Sequence, residues 1–322
     1  MNIKKRLAEF LTLKKTFGYP FALKCYFLRL KSFPEYEQFV FDFLEEEFAP
    51  LIRKYELLPD AAVSESGSKH IWTLWWQGVE QAPEIVKVCL KSQQDNMASD
   101  GFQYTIITKD NWKQYMKLPK HITEKVENGQ ITLTHFSDII RAELIRQYGG
   151  VWIDATVFCN KRINLEPVSQ IYTAKCSPTP KSLTLGRWTG FLFGDKKGSK
   201  LFSFMSEAFD QYWKKYDSLV AYLLIDYIIA IAYKHFPEVR EQYAQVPANQ
   251  TGLWQMLRAM NKVYDENVWN RAVQTADFWK LSYKDEFNGG PLKKTAEGQL
   301  TNWGYLSEKG ELDEKESFDL LS

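Results

Sequence analysis

The clearest change of hydrophobic period in this chain lies at positions 134–158, which read THFSDIIRAELIRQYGGVWIDATVF. The first part repeats apolar residues every three or four positions, as the buried face of a helix does. Gly149-Gly150 should end that helix, because glycine tolerates the left-handed conformation found just past a helix end, and Ser137 is the candidate N-cap. The following VWIDA alternates with period two. The stretch therefore predicts a helix, a glycine turn and a strand.

The rest of the chain predicts strands that alternate with helices, which is the pattern of an α/β fold. Ser199 and Asp110 stand where they would cap the helices that follow them. The predicted strands cover residues 70–76 and 103–108, and the predicted helices cover residues 83–94, 200–215, 219–233 and 253–260, with another beginning near Trp112.

Composition narrows the class of protein only slightly. A chain of 322 residues with 45% hydrophobic content can bury one large core, and a net charge of +1 gives no case for a nucleic-acid partner. Four widely spaced cysteines predict reduced, mostly buried thiols in a cytosolic protein, not a zinc site or disulfides. The most apolar run, residues 219–233, is shorter than the about 20 residues that cross a bilayer, so it predicts a buried core helix.

Charge is distributed unevenly near the start of the chain. Residues 1–31 hold eight Lys and Arg against one acid, interleaved with aromatic residues, and Tyr19-Pro20 should break this segment into two helices. Residues 35–60 hold eight acids against two basic residues. One interpretation is that residues 1–31 attach to an anionic membrane surface. The other is that the two segments neutralise each other as helices packed on the rest of the protein.

Three charged residues of the 134–158 stretch are placed to meet one ligand. Asp138 and Arg141 are three positions apart and share a helix face. Asp154 falls near the C-terminal end of the predicted strand, where open α/β sheets place their ligands. The simpler alternative is that Asp138 and Arg141 form a surface ion pair worth under ~1 kcal/mol. The adjoining YGG and Asp154 favour a nucleotide-sugar site.

These residues carry a resemblance to a known family. SD-x-x-R, followed by YGG, three hydrophobic residues and Asp, is similar to the DxD-containing sugar-transferase family of GT-A glycosyltransferases, which includes the initiating fungal mannosyltransferases. Within that family the chain resembles the bacterial capsular polysaccharide synthesis proteins over about two thirds of its length. The matching segments are IWTLWWQG, APEIVKVCLKS, GGVWIDATVF, WTGFLFGDKKG, LIDYIIAIAY and WKLSYK.

The resemblance implies roles for residues that would contact the sugar donor. Asp138 and Arg141 would grip the hydroxyls of the donor sugar, since a carboxylate accepts and a guanidinium donates charge-assisted hydrogen bonds. A tryptophan would stack on the base, although most tryptophans are core residues, and residues after the second strand would reach the uridine or ribose. The candidates are Trp75, with Trp76 as the alternative, for the base, and Thr108 and Asp110 for the uridine or ribose.

The chain departs from the family at its metal site. The usual D-x-D binds Mn²⁺ or Mg²⁺ under the donor diphosphate, and here the triplet is Asp154-Ala155-Thr156. Asp154 and Thr156 are the expected metal ligands, and the hydroxyl should weaken the site because hard cations prefer carboxylates. Lys284, with Lys280 as a second candidate, is then expected to neutralise part of the charge on the leaving group.

A carboxylate on the most apolar helix is the second catalytic candidate beside Asp154. Family members typically retain the anomeric configuration of the donor, and a near-site role for Asp226 fits that chemistry. The alternative is a satisfied internal carboxylate in a helix-packing role, since an unpaired buried charge is costly. A covalent role is not expected.

The expected architecture is a GT-A, Rossmann-like catalytic domain at residues 63–290, with a helical extension at 1–62 and an acidic C-terminal segment at 291–322. The resemblance implies a retaining glycosyltransferase that moves a hexose from a nucleotide sugar, UDP-linked by expectation. Its acceptor would be a lipid-linked saccharide at the inner face of the plasma membrane, in capsular polysaccharide synthesis. The competing hypothesis is a non-catalytic nucleotide-sugar or glycan-binding relative, in which Thr156 marks lost metal chemistry.

Overall fold

A computed structural model describes residues 3–60, 67–97, 101–163, 165–176, 183–248, 250–284 and 291–308. The chain begins with four helices, α1 (Ile3–Phe17), α2 (Tyr19–Lys31), α3 (Phe33–Glu47) and α4 (Ala49–Leu57). The predicted break in the basic segment is confirmed: Gly18 has a φ of 87° and Pro20 stands in the first turn of α2.

The remaining elements alternate between strand and helix for most of their length. The first half contains β1 (His70–Leu74), a 3-10 helix (Val79–Gln81), α5 (Glu84–Met97), β2 (Gln103–Ile107), α6 (Trp112–Tyr115), α7 (Lys120–Glu127), α8 (Leu133–Tyr148), β3 (Gly150–Ile153) and β4 (Val157–Cys159). The second half contains β5 (Tyr172–Thr173), β6 (Leu192–Asp195), α9 (Lys200–Lys215), α10 (Leu224–His235), α11 (Pro237–Gln245), α12 (Gln255–Ala259), α13 (Glu266–Thr275) and β7 (Phe278–Lys280).

Five strands form a mixed central sheet in the order β2-β1-β3-β6-β5. β1 pairs in parallel with both β2 and β3, whereas β6 runs antiparallel to β3 and β5. β4 and β7 form a separate antiparallel pair. The predicted α/β class, with a helical extension at the N-terminus, is therefore confirmed.

The central sheet is buried on both faces, as sheets with covering helices are. Trp72, Trp152 and Phe193 belong to the largest core cluster, together with residues of α8, α9 and α10. Val151 and Ile153 belong to a different cluster. The alternation predicted for VWIDA is thus confirmed, and it carries Trp152 and Asp154 to the same side of β3.

The glycine pair between α8 and β3 is required by close backbone approach. Gly149 and Gly150 have φ values of 69° and 101°. A Cβ on Gly150 would lie 2.2 Å from the carbonyl oxygen of His70, and one on Gly149 would lie 2.6 Å from the backbone nitrogen of Lys197. No L side chain fits either position, so the helix must end where the sequence predicts.

Two predicted helix caps are wrong. The N-cap of α8 is Thr132, whose hydroxyl accepts from the His135 amide at 3.3 Å, so the helix begins one turn before Ser137. Asp110 does not cap α6, because Asn111 stands at that position and its carboxamide accepts from the Thr108 amide at 2.8 Å. In both cases a neighbouring polar residue makes the turn. The Ser199 cap of α9 is confirmed.

The apolar run at residues 219–233 becomes helical only from Leu224, and α10 then buries Ile228, Ile229 and Ile231 completely. Among the described helices, none has both the length and the apolar character needed to cross a bilayer. The four cysteines are free, and three of them are buried, as the sequence predicts.

The acidic helices pack against the rest of the protein. Glu47 on α3 pairs with Lys215 on α9 at 2.5 Å, Glu45 pairs with Lys234 on α10 at 2.6 Å, and Asp60 pairs with Lys196 at 2.8 Å. The basic and acidic segments are joined at their junction by Lys31 and Glu35. The interpretation that segments 1–31 and 35–60 neutralise each other is therefore only partly supported. Several acidic residues of 35–60 form their ion pairs with α9 and α10 instead.

Candidate active site

A cavity of about 1530 Å³ opens beside the C-terminal ends of β1 and β3. This is the edge at which α/β sheets bind ligands, and the volume exceeds the roughly 300–1,000 Å³ of a site for one small molecule. The cavity collects most of the residues singled out from the sequence. They are Trp75, Trp76, Asp138, Arg141, Asp154, Thr156, Asp226, Lys280 and Lys284.

Arg141 is the centre of the charged network. Its guanidinium donates to the Gly190 carbonyl, to the Ser137 carbonyl at 3.1 Å and to the Ser137 hydroxyl at 2.9 Å. The Nη2 atom lies 3.1 Å from Asp138 Oδ1 and 3.4 Å from Asp154 Oδ1. With its side chain only 7% exposed, Arg141 is a fixed bridge between the two carboxylates, not a surface ion pair.

A histidine that the sequence analysis did not single out orients Asp138. His135 Nδ1 lies 3.2 Å from Asp138 Oδ2, and His135 Nε2 lies 2.9 Å from Trp213 Nε1. An indole N–H can only donate, so Nε2 must be the acceptor and Nδ1 must carry the proton that is donated to Asp138. The i, i+3 spacing of His135 and Asp138 on one helix was the available sequence signal.

Asp154 is held by two hydrogen-bond donors and by the charge of Arg141. Trp152 Nε1 donates to Oδ1 at 2.8 Å, and Lys280 Nζ donates to Oδ2 at 3.0 Å, while Arg141 lies beside Oδ1. Burial opposes ionisation of this carboxyl, but the charges of Lys280 and Arg141 outweigh it and hold the pKa of Asp154 below its usual range. The carboxylate is therefore ionised at neutral pH.

Lys280 reaches Asp154 because two short strands bring distant segments together. β7 pairs with β4 so that Lys280 is opposite Val157, three residues after Asp154. Its ammonium also donates to the Thr156 hydroxyl at 2.6 Å. Lys284, which the sequence analysis ranked first, lines the cavity but is exposed.

The oxygens of Asp154 and Thr156 do not fit a divalent cation as the side chains are arranged. Both of them accept hydrogen bonds from the Lys280 ammonium. Within the described ranges, no group of three or more His, Cys, Asp or Glu side chains could hold a metal ion, and Mg²⁺ and Mn²⁺ bind through several oxygen ligands. The Mn²⁺ or Mg²⁺ expected from the resemblance stays a prediction.

Asp226 lies on the other side of Arg141, in the first turn of α10. Its Oδ1 accepts from Trp188 Nε1 at 3.1 Å. A Cβ built on Gly190 would lie 3.9 Å from both Asp226 Oδ1 and Arg141 Nη1, so the glycine keeps the space between them open. Burial, reinforced by the charge of Asp138, raises the pKa of Asp226 to about 7. Asp226 thus holds a proton that a typical carboxyl would release.

All of these residues fall inside one family match. The sequence model for the family described as capsular polysaccharide synthesis protein matches residues 26–294. The chain belongs to the capsular polysaccharide synthesis protein family. Among curated proteins, none matches it.

Among solved structures, the chain is similar to PaToxG Glycosyltransferase, at 12% identity and a TM-score of 0.37, over 66% of this chain and 89% of that one. A TM-score of this size does not establish a shared fold, so the family match alone carries the assignment.

Two of the three tryptophans in and just after β1 line the cavity, whereas Thr108 and Asp110 do not. Trp72 is buried and donates to the Gly149 carbonyl at 3.0 Å. Trp75 lines the cavity in edge contact with Tyr283, and Trp76 lines it in edge contact with Phe136. Thr108 and Asp110 bond to each other in a turn beyond β2. A contact of that turn with the donor stays a prediction that the cavity lining does not support.

Proposed function

We propose that this protein is a retaining glycosyltransferase that transfers a hexose from a nucleotide sugar, UDP-linked, to a saccharide acceptor. One observation carries the proposal. Asp138, Arg141, Asp154 and Lys280 form a continuous network of alternating charge at the C-terminal edge of the sheet, inside a cavity large enough for a donor and part of an acceptor.

The network suits the charges of the reaction. In glycosyl transfer the bond between the anomeric carbon and the phosphate oxygen breaks, and the nucleoside diphosphate leaves with the electron pair. The acceptor hydroxyl oxygen forms the new bond and passes its proton to the departing phosphate on the same face. Fixed cations stabilise the negative charge on the leaving group. Asp138, Asp154 and Arg141 supply acceptors and donors for the sugar hydroxyls, and Trp75 supplies a flat face for the base.

Asp226 is proposed to act from the cavity wall, as a partner of sugar or acceptor hydroxyls. With a pKa of about 7, it exists in both protonation states near neutral pH. A neutral carboxyl donates a hydrogen bond that a carboxylate cannot. A covalent intermediate on Asp226 is not part of the proposal.

The acceptor is proposed to be a lipid-linked saccharide, reached from the cytoplasmic face of the membrane. Helices α1 and α2 expose a mixed apolar and basic surface: Leu7, Leu11, Phe27 and Leu30 are between 51% and 58% exposed. On α2, Phe27 and Leu30 share a helix face with the exposed Lys24 and Lys31. Basic residues near anionic lipid contribute about 1 kcal/mol each, so this surface is suited to reversible attachment.

Donor turnover tests the catalytic proposal. Purified protein should slowly hydrolyse one member of a panel of nucleotide sugars, and Asp154→Ala should reduce that turnover by about 10²-fold or more, as loss of a group that positions charge does. Unchanged thermal unfolding would show that Asp154→Ala leaves the fold intact. Wild-type turnover in this variant would refute the site assignment. Binding of a nucleotide sugar without turnover would favour the non-catalytic relative.

Liposome sedimentation tests the membrane surface. Binding should rise with the fraction of anionic lipid and fall with salt, because exposed charges are screened within a Debye length of about 10 Å at 0.1 M. Phe27→Asp should weaken binding. The matched control is Leu57→Asp, which alters an even more exposed apolar residue at the end of α4. Equal binding of the two variants would contradict docking through α1 and α2.

A further inference from the structure

The geometry points to Lys280 as a built-in replacement for the divalent metal. Its ammonium is the fixed positive charge beneath the donor diphosphate, so nucleotide binding needs no metal ion. This inference rests on the proposed function, since it names the group of this chain that meets the diphosphate.

The first support is the position of the ammonium. Lys280 Nζ lies 3.0 Å from Asp154 Oδ2 and 2.6 Å from Thr156 Oγ1, the two oxygens of the degenerate D-x-D triplet. A divalent ion on these oxygens, at the usual 2.0–2.6 Å, would lie within about 5 Å of the ammonium. Like charges that close repel each other. The lysine and a metal therefore compete for one position.

The second support is the balance of charge. A D-x-D pair carries two negative charges, which match a divalent ion. In this chain the hydroxyl of Thr156 leaves one carboxylate, Asp154, which matches one ammonium. Thr156 would be a weak ligand for a metal ion, but it suits a lysine as the cation. Its Oγ accepts a hydrogen bond from the ammonium and adds no second negative charge.

The third support is how rigidly the lysine is held. Its backbone lies on β7, where the Lys280 amide donates to the Leu253 carbonyl at 2.9 Å and the next amide donates to the Thr156 carbonyl at 2.8 Å. The side chain is 15% exposed, and Nζ lies 5.0 Å from the ring centroid of Phe191. Among the described residues, Asp154 and Thr156 account for two of the three N–H groups, and the third is available to a phosphate oxygen in the cavity.

Nucleotide binding in the presence of EDTA tests the inference without an activity assay. UDP, with GDP as a second probe, is titrated into the full-length protein by calorimetry. The wild type should bind in EDTA, and added Mg²⁺ or Mn²⁺ should change the affinity by no more than about threefold. Lys280→Met keeps the length of the side chain but removes the charge, and it should weaken binding in EDTA about tenfold to a hundredfold, the usual effect of losing one charged hydrogen bond.

A matched control and a conservative variant separate charge from folding. Lys161 also pairs with an aspartate beside the β4–β7 pair, Asp277 at 2.6 Å, but it does not line the cavity. Lys161→Met should bind UDP as the wild type does. Lys280→Arg keeps the charge and should retain binding within about tenfold, even if Lys280→Met proves unstable.

The strictest test replaces the lysine ammonium by a metal ion as the cation of the site. Thr156→Asp combined with Lys280→Met restores two carboxylates and removes the ammonium, so UDP binding should become dependent on Mn²⁺. Wild-type binding that is abolished by EDTA, or Lys280→Met binding equal to that of the wild type, would overturn the inference and leave the proposed glycosyl transfer standing. Failure of both nucleotides to bind with or without metal would overturn both.

Discussion

The hydrogen-bonded chain from Trp213 through His135 to Asp138 yields a prediction whose size follows from the structure. His135→Phe replaces the imidazole with a larger ring that can neither accept from Trp213 nor donate to Asp138. Both His135 and Trp213 are at least 98% buried, so water cannot take the place of the lost partner. The variant should therefore lose the stability of both hydrogen bonds, beside the cost of packing a larger ring.

The expected loss has two parts. Leaving the buried Trp213 N–H without an acceptor costs about 1–3 kcal/mol, and removing the hydrogen bond to the Asp138 carboxylate costs about 1.5–3 kcal/mol. His135→Phe should then lower the free energy of unfolding by about 2.5–6 kcal/mol. Trp213→Phe removes the indole N–H instead and leaves the contact between His135 and Asp138 in place.

A double-mutant cycle isolates the contact. In the double variant His135→Phe/Trp213→Phe, the Trp213 donor and the His135 acceptor are removed together, while Asp138 lacks its histidine donor as it does in His135→Phe alone. The loss should therefore be smaller than the sum of the single losses by about 1–3 kcal/mol. Urea unfolding of the four proteins gives these values from the midpoints and slopes. Additivity within about 0.5 kcal/mol would refute the proposed chain of hydrogen bonds.

Three other variants test separate features. Arg141→Lys should lower kcat/KM for the donor about 10²-fold or more. A single ammonium cannot replace the planar guanidinium that joins Asp138, Asp154 and Gly190. A kcat/KM within threefold of wild type would contradict this. The pKa of the Asp226 carboxyl is raised from 3.8 to about 7, so its contribution to the stability of the wild type is present below pH 3.8 and is lost as the pH rises through 7. Asp226→Asn lacks this titration, so its melting temperature should rise relative to that of the wild type between pH 4 and 8. A difference that stays constant with pH would contradict this. Gly150→Ala should lower the free energy of unfolding by about 3 kcal/mol or more, because its Cβ would meet backbone atoms. Gly78→Ala, which has a φ of 87° but open space around the position, should lower it by only about 1–2 kcal/mol. Equal melting temperatures of the two variants would refute the steric argument.

The parts of the fold that the sequence predicted well are those decided by neighbouring residues. The α8–β3 unit follows from a local change of period and from glycines that no other residue can replace, so its end is predictable to the residue. The start of α8 is harder, because Thr132, Thr134 and Ser137 can all cap a helix. In the structure the Thr132 hydroxyl accepts from the His135 amide and makes the cap.

The contacts of the candidate site that the sequence did not predict join residues that are far apart in the chain. Lys280 meets Asp154 across 126 positions through two strands of three residues, too short for a periodic signal. His135 and Trp213 meet across 78 positions. Thr108 and Asp110 follow a strand that ends at the expected edge of the sheet, but the turn after β2 keeps both out of the cavity lining.

The β4–β7 pair has a consequence for the order in which the protein is completed. The N-terminal helices, the five central strands and Arg141 all precede residue 278, whereas Lys280 arrives with β7. Chains emerge from the ribosome at about 5–20 residues per second and fold from the N-terminus. For several seconds a nascent chain can therefore possess the whole central sheet and the carboxylate of Asp154 without the ammonium that pairs with it. Within the network of Asp138, Arg141, Asp154 and Lys280, the ammonium is therefore the last charge to be added, and pairing two strands of three residues each is the step that brings it to Asp154.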